Sequence, residues 1–427
     1  MPEMKDSGIE WVGLCPCHWR FLKGKYIFNQ RNQRGNEINL QLLSPTQNFG
    51  VIPQSLYEEL TTNKAVKLKE SADLSEFKTI HKGDYCISLR SFQGGFEYSE
   101  YEGVVSPAYQ VFYPIIDIAD GYYKYLFKDR GFVEKMNSYT LSLRDGKNIA
   151  FSDFGNTYIP IPPVNDQEVI ASFLDAKCSE IDSLITDIQS EIEVLEEYKK
   201  SVITEAITKG LNPEVQMKDS GIEWAAKVPE HWNIIKGKYI FTQRNDRGNN
   251  ANLQLLSPTQ KFGVIPQELY EELTGMSAVK LKEDTNLSAL KTIHKGDYCI
   301  SLRSFQGGFE YSEYEGVVSP AYQVFYPVIP IADGYFKYMF KERGFIEKMN
   351  SYTLSLRDGK NIAFSDFGNS YIPVPPLVEQ VAISDYLERI KIEIDSIIDD
   401  KQKQLSILEE YKKSIIYEYV TGKKSAM

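Results

Sequence analysis

The sequence predicts an α+β protein: two copies of a mixed α/β domain separated by two long helices that pack antiparallel as a coiled coil. This gives a circular, pseudo-two-fold arrangement produced by tandem duplication. Three observations carry the prediction. MKDSGIEW at 4–11 returns at 217–224, and the same offset of 213 maps 78–114 onto 291–327 and 134–156 onto 347–369 without a change. A heptad of apolar residues follows each copy. Runs rich in β-branched and aromatic residues alternate with turn signals inside each copy. A period this long is a duplicated domain rather than a solenoid repeat, which runs about 20–50 residues.

The expected division is a first mixed domain over 1–160, a Pro-rich exit and long helix over 161–212, a second domain over 213–373, and a second exit and helix over 374–427. Within the first domain, DYCISLR and EGVVSPAYQVFYP read as strands. GYYKYLFKDRGFVEKMN reads as one helix with Tyr122, Tyr125, Leu126 and Val133 on a shared face. The exits YIPIPPV at 158–164 and YIPVPPL at 371–377 carry paired prolines, which forbid helix and favour an extended run.

After the exits, Leu174, Ile181, Ile188, Leu195 and Val202 recur every seven residues, with Cys178, Ile185 and Ile192 in the adjacent stripe. The second copy gives Leu387, Ile394, Leu408 and Ile415, broken by Lys401, with Ile398 and Leu405 alongside. Such seams want a partner helix. Without Gly or Pro, each helix would be ~65 Å long at 1.5 Å per residue, too long and one-sided to be buried by its own domain. A single helix lying across a domain is the plainer alternative.

Composition is that of an ordinary globular protein, 42% hydrophobic and 25% charged, with a high aromatic share of 13%. Five cysteines without framework spacing predict reduced thiols. The absence of a long apolar run predicts a soluble, cytoplasmic chain with no membrane partner. The net charge of −11 argues against nucleic acid only when taken whole. Residues 20–160 carry 17 basic against 16 acidic side chains and 233–373 carry 16 against 15, whereas 161–216 carry 4 against 12. The acidity belongs to the helical segments, and the sheet-like domains are neutral with local basic clusters.

Catalytic and cofactor signatures are missing. There is no P-loop, no glycine-patterned nucleotide loop and no Asp/Asn-Pro-Pro-aromatic tetrad. Cys15-Pro16-Cys17-His18 has the look of a metal clip, but the second copy reads Val228-Pro229-Glu230-His231, so no metal is expected. Cys86 and Cys299 read as buried small hydrophobes.

Three donor-rich segments stand out in each copy. Arg90, Ser91, Phe92, Gln93 and Gly94 leave a strand into a glycine-permitted turn, and Arg303, Ser304, Phe305, Gln306 and Gly307 repeat it. Arginine forks to guanine and glutamine to adenine, so this tip suits major-groove reading. It equally suits a hairpin turn whose polar groups meet only water. Tyr139, Arg144, Lys147 and Asn148, copied as Tyr352, Arg357, Lys360 and Asn361, form a second segment. Arg31, Asn32 and Arg34, copied as Arg244, Asn245 and Arg247, form a third. Together they are candidate contacts to double-stranded DNA.

The order of these parts resembles the DNA specificity (S) subunit of type I restriction-modification systems. MKDSGIEW with VPEHW, the exit IPVPPLVEQ, the heptad helix with LEEYKKS, and the closing TKG at 208–210 or TGK at 421–423 look like its framework. LRSFQGG and VVSPAY look like one class of its target recognition domain. CPCHW departs from the acidic PEHW form in copy one, and NDQE at 165–168 departs from the PPLxEQ pattern.

The resemblance implies a non-catalytic subunit whose two recognition domains each read one half of a bipartite site. It implies two modification (methyltransferase) subunits that methylate adenine, and restriction (endonuclease and translocase) subunits. S-adenosylmethionine, ATP and Mg are then expected on those partners and not on this chain. Near-identical domains related by a pseudo-two-fold imply a palindromic, interrupted target. The alternatives are a stand-alone duplicated DNA-binding regulator, or an enzyme with a dispersed catalytic site.

Overall fold

The computed structural model of the protein describes residues 3–35, 41–61, 74–88, 95–139, 149–248, 253–276, 289–301, 308–352 and 362–426. The chain divides into two units, one comprising 1–188 with 402–427 and the other 189–401.

In the first unit, β1 (Met4–Asp6) pairs with β2 (Leu14–Pro16), and β3 (Arg20–Lys23) leads into β4 (Phe28–Arg31). Next come the hairpin β5 (Leu43–Thr46) and β6 (Gly50–Pro53), then α1 (Gln54–Thr61). Further along the chain lie β7 (Lys78–Ile80), β8 (Tyr85–Ile87), β9 (Phe96–Tyr98), β10 (Gly103–Val105) and β11 (Gln110–Pro114). An antiparallel four-stranded sheet in the order β4-β11-β8-β9 is its centre.

The period of two in these strands sorts the side chains onto two faces. Phe28, Phe112, Tyr85 and Phe96 point to one face and Cys86 and Val111 to the other. The first face is a nest of rings, with Phe112 and Phe154 at 4.9 Å between centroids, Phe127 and Phe132 at 5.1 Å and Phe28 and Tyr123 at 5.4 Å. The aromatic share of the sequence goes largely here, where such pairs add about 0.5–1.5 kcal/mol each beyond burial. The second face is small and aliphatic, Cys86 and Val111 against Leu43, Val51, Ile80 and Val105.

The run 121–137 is two helices rather than the single one its pattern predicts. α2 (Asp120–Leu126) stops, and α3 (Arg130–Ser138) restarts on Asp129, whose carboxylate accepts from Phe132 N at 3.0 Å. A local cap therefore overrides the period. The buried residues of α3 are Phe132 and Met136, while Val133 is only half-buried. EGVVSPAYQVFYP likewise forms two strands, β10 and β11, around a turn in which Tyr109 N donates to Ser106 O.

α4 (Phe151–Asn156) and β12 (Tyr158–Ile161) close the domain. β12 is the extended run expected of the prolines, and it pairs antiparallel with β3, Tyr158 opposite Lys23 and Ile161 opposite Arg20. The last strand of the domain thus lies beside its third.

α5 (Val164–Lys209) starts at the paired prolines, and a second long helix runs Leu377–Val420. In the first unit Phe173 stacks on Tyr419 at 4.3 Å and Asp182 pairs with Lys412 at 2.6 Å. In the second unit Glu191 pairs with Lys401 and Lys199 with Asp395. Within each unit the partner number falls as the residue number rises, so the helix segments are antiparallel. Leu174, Ile181 and Ile415 are buried in the first unit, Leu387 and Ile394 in the second, while Ile188, Leu195, Val202 and Leu408 are half-buried. Lys401, which breaks the apolar pattern, spends its charge on Glu191.

The helix starts are fixed identically in both copies. His18 Nε2 and Trp19 Nε1 lie 2.8 and 3.4 Å from Asp166, and His231 and Trp232 lie 2.5 and 3.0 Å from Glu379. Beside each acid, Gln167 or Gln380 is buried and bridges Ala119 N to Pro162 O, or Ala332 N to Pro375 O. The NDQE departure therefore preserves an acid followed by glutamine. The second unit repeats the four-stranded sheet with strands Phe241–Arg244, Gln323–Pro327, Tyr298–Ile300 and Phe309–Tyr311.

Candidate nucleic-acid interface

Strand register decides which segments meet. Arg31, the last residue of β4, stands opposite Val111, the second residue of β11. Gln110, the first of β11, stands opposite Ile87, the last of β8, which in turn faces Phe96, the first of β9. The chain therefore leaves β4, enters β11 and joins β8 to β9 at one end of the sheet. Gln110 brings a further segment there: its Oε1 accepts from Phe151 N at 2.9 Å and its Nε2 reaches Ile149 O at 3.5 Å. The flanks of all three donor-rich segments thus converge. In the second unit Arg244 faces Val324, and Ile300 faces both Gln323 and Phe309, which reproduces the arrangement of the strands.

The described candidates divide into those turned inward and those left outside. Arg31 forks onto Asp84, Nε at 2.7 Å and Nη2 at 3.1 Å, with its guanidinium 4.5 Å from the centre of the Tyr113 ring. Asp84 is buried and also accepts from His81 N at 2.9 Å. Arg244 grips Asp297 in the same way, adds Asp246 at 3.2 Å and lies 4.3 Å from the Tyr326 ring. In both arginines, candidate DNA contacts by sequence, the planar fork is taken up by a carboxylate across the sheet, a geometry suited to holding the end of β4.

Arg34 is exposed and pairs with Glu76. Arg247 is exposed, donates to Ala289 O and has no described carboxylate partner. Asn32 and Asn245 are exposed. Tyr139 and Tyr352 are half-buried, their hydroxyls 3.2 Å from Thr157 Oγ1 and Ser370 Oγ, which ties each to its own framework. Arg90, Ser91, Phe92, Gln93, Gly94, Arg144, Lys147 and Asn148 lie outside the described residues. So do Arg303, Ser304, Phe305, Gln306, Gly307, Arg357, Lys360 and Asn361.

Sequence reasoning missed the side chains that shape this end. Lys78 is partly buried, and burial lowers its pKa; its Nζ donates to Tyr109 O at 2.7 Å and so holds the turn that precedes Gln110. Lys291 does the same with Tyr322 O. On β9, Glu97 is almost fully buried and pairs with Lys128 at 2.6 Å; burial pushes its carboxyl up to about 7 against the pull of that lysine. Glu310 is its twin, also raised to about 7, beside Lys341. No signal separates Gln110 or Lys78 from its neighbours, because both sit in the run that repeats without change. Among the described residues there is no cluster with the makings of a metal site, and no helix long and apolar enough to cross a membrane.

A family model described as the type I restriction modification DNA specificity domain matches residues 22–194 and again 229–406. Two specificity subunits of type I restriction enzymes from Methanocaldococcus jannaschii are similar in sequence. MjaX is 27% identical over 277 residues, 62% of this chain and 59% of its own length, and MjaVIII is 28% identical over 285 residues, 63% of each. The chain thus spans about three fifths of the length of these relatives. A chain from a solved structure concerned with complex assembly and conformational transition of the type I R-M system covers 95% of this chain and 98% of its own. It matches with a TM-score of 0.67 at 14% identity, a likeness of fold.

Proposed function

The chain belongs to the type I restriction-modification DNA specificity family, and from that premise we propose that it is the sequence-reading subunit of such a complex, with one recognition domain in each unit. The observation that carries the reading is the convergence of strand ends: in each unit the flanks of two donor-rich segments meet at one end of the central sheet, joined in the first unit by the flank of the third. A sheet that gathers several loops at one end offers a rigid platform for groove contacts.

The chain binds DNA and scaffolds its partners without catalysing a reaction. Two modification subunits bring S-adenosylmethionine, restriction subunits bring ATP and Mg, and the whole acts in the cytoplasm. The first long helix, whose segment 161–216 carries 12 acidic against 4 basic residues, suits a protein-facing spacer.

Because 78–114 and 291–327 are identical, the two domains read the same bases. Antiparallel helix segments in each unit favour reading on opposite strands, hence an interrupted palindrome. Mapping methylated adenines in a host carrying the intact system tests this: one half-site and its reverse complement around a fixed spacer is expected, and two unrelated half-sites overturn it. Copurification decides against a stand-alone regulator, since a specificity subunit brings down two methyltransferase subunits.

A further inference from the structure

A second polar surface recurs in both units, away from the donor-rich segments. In the first unit Gly24–Tyr26 form a single 3-10 turn after β3. A Cβ on Gly24 would lie 2.7 Å from the Phe154 carbonyl oxygen, so glycine lets this turn seat directly against α4. The seat leaves Tyr26 57% and Tyr158 50% exposed. Lys25 Nζ lies 5.5 Å from the Tyr26 ring centre and 3.2 Å from Asn156 Oδ1, and Lys23 Nζ lies 5.5 Å from the Tyr158 ring centre.

The second unit matches it. Lys238 lies 5.5 Å from the Tyr239 ring and 3.3 Å from Asn369 Oδ1, and Lys236 lies 5.1 Å from the Tyr371 ring. Tyr239 is 63% exposed and Tyr371 50%. The neighbours have drifted between copies: Arg20, Phe21, Leu22 and Asn29 became Asn233, Ile234, Ile235 and Thr242. The lysines, tyrosines and asparagine have not.

None of these four lysines pairs with a described carboxylate, in a chain of net charge −11 whose Lys124, Lys128, Lys337 and Lys412 all do. Ammonium groups held beside exposed tyrosine and asparagine side chains are donors to phosphate and sugar, which fix position without reading bases. Lysine is a compact point charge and lacks the planar fork of base recognition. β4 begins two residues after Tyr26 and ends on Arg31, about 10 Å over its three steps at the usual strand rise. That is short against one turn of duplex, about 34 Å. A duplex held at the sheet end therefore passes its backbone within reach.

We propose that the lysine–tyrosine surface of each unit is a sequence-independent contact to the phosphodiester backbone of double-stranded DNA. The proposal rests on the DNA-reading function above. The test uses the chain assembled with its modification subunits, a duplex carrying the mapped target and a scrambled duplex, with affinity measured across a salt series.

Lys23→Ala with Lys25→Ala is expected to weaken both duplexes by a similar factor and to reduce the slope of log affinity against log salt by about 2, at about 0.9 per phosphate. The methylated sequence stays the same. Lys236→Ala with Lys238→Ala does likewise, and arginine at the same positions restores the slope. An unchanged slope in a complex that still prefers its target overturns the proposal. So does a loss that arginine fails to restore, or a loss of modification subunits at constant slope, which would mark an acidic protein face as the occupant. If the wild-type complex shows no preference for its target, the sequence-reading function fails instead, and the slopes still decide the backbone contact.

Discussion

The two copies differ most instructively at the turn before α3 and before its counterpart Arg343–Ser351. Asp129 and Glu342 each cap it, accepting from Phe132 N at 3.0 Å and Phe345 N at 2.7 Å. Glu342 is one methylene longer and also accepts from Thr204 Oγ1 at 3.0 Å. In the first unit the residue matching Thr204 is Tyr417, and Asp129 Oδ2 is buried with no described partner. Burial raises the Asp129 carboxyl to about 6, against the backbone N–H groups that favour its charge. The arginine clamps diverge too: among the described residues Arg31 has Asp84 as its carboxylate, whereas Arg244 has Asp297 and Asp246, where the first copy carries Gln33. Duplication has preserved backbone, core and caps, while the polar partners around them have drifted.

The largest expected effect sharpens the clamp comparison. Asp84→Ala strips Arg31 of its one carboxylate partner among the described residues and His81 N of its acceptor, a loss of about 3 kcal/mol by the usual cost of breaking a mostly buried pair. Asp297→Ala costs less, because Asp246 remains. Chemical denaturation followed by hydrogen exchange in each unit checks this, and equal losses would break the comparison.

A smaller effect isolates the extra methylene. Glu342→Asp is expected to cost about 1 kcal/mol through the lost Thr204 bond. Thr204→Ala should then be harmful in the wild type and nearly silent beside Glu342→Asp, a coupling a double-mutant cycle reads directly.

The smallest difference is expected where the copies agree. Glu97 and Glu310, both raised to about 7 by burial, bind protons more tightly folded than unfolded. Their contribution is complete below about 4.5 and lost as pH rises through 7. Both units should therefore loosen as pH rises from about 4.5 through 7, the first with a further loss up to about 6 from Asp129. Glu97→Gln should flatten the response of the first unit only, and Glu310→Gln that of the second; a variant that flattens both would show the twins are not independent.

The large features were legible in the sequence because they are periodic: the 213-residue offset, the heptad seams and the proline exits. What escaped depends on single polar atoms or distant partners. The break between α2 and α3 turns on one aspartate cap, which no hydropathy period records. Arg31 reads as a loop donor until Asp84, 53 positions away, is seen to hold it. The apparent irregularity at 165–168 vanishes once Asp166-Gln167 is set beside Glu379-Gln380, a comparison the offset itself made available.

The way the long helices are shared between units has a consequence for synthesis. The second unit is one continuous stretch, 189–401, whereas the first needs 402–427 to be whole. Ile415, Ile416 and Val420 wall its aromatic core, Val420 O accepts from the buried Tyr122 hydroxyl at 2.7 Å, and Lys423 Nζ reaches Val12 O at 2.6 Å. On the ribosome, domains commonly finish in the order they are made. Here the unit whose translation begins first closes only after the second unit has been made, and its aromatic core waits on residues 402–427.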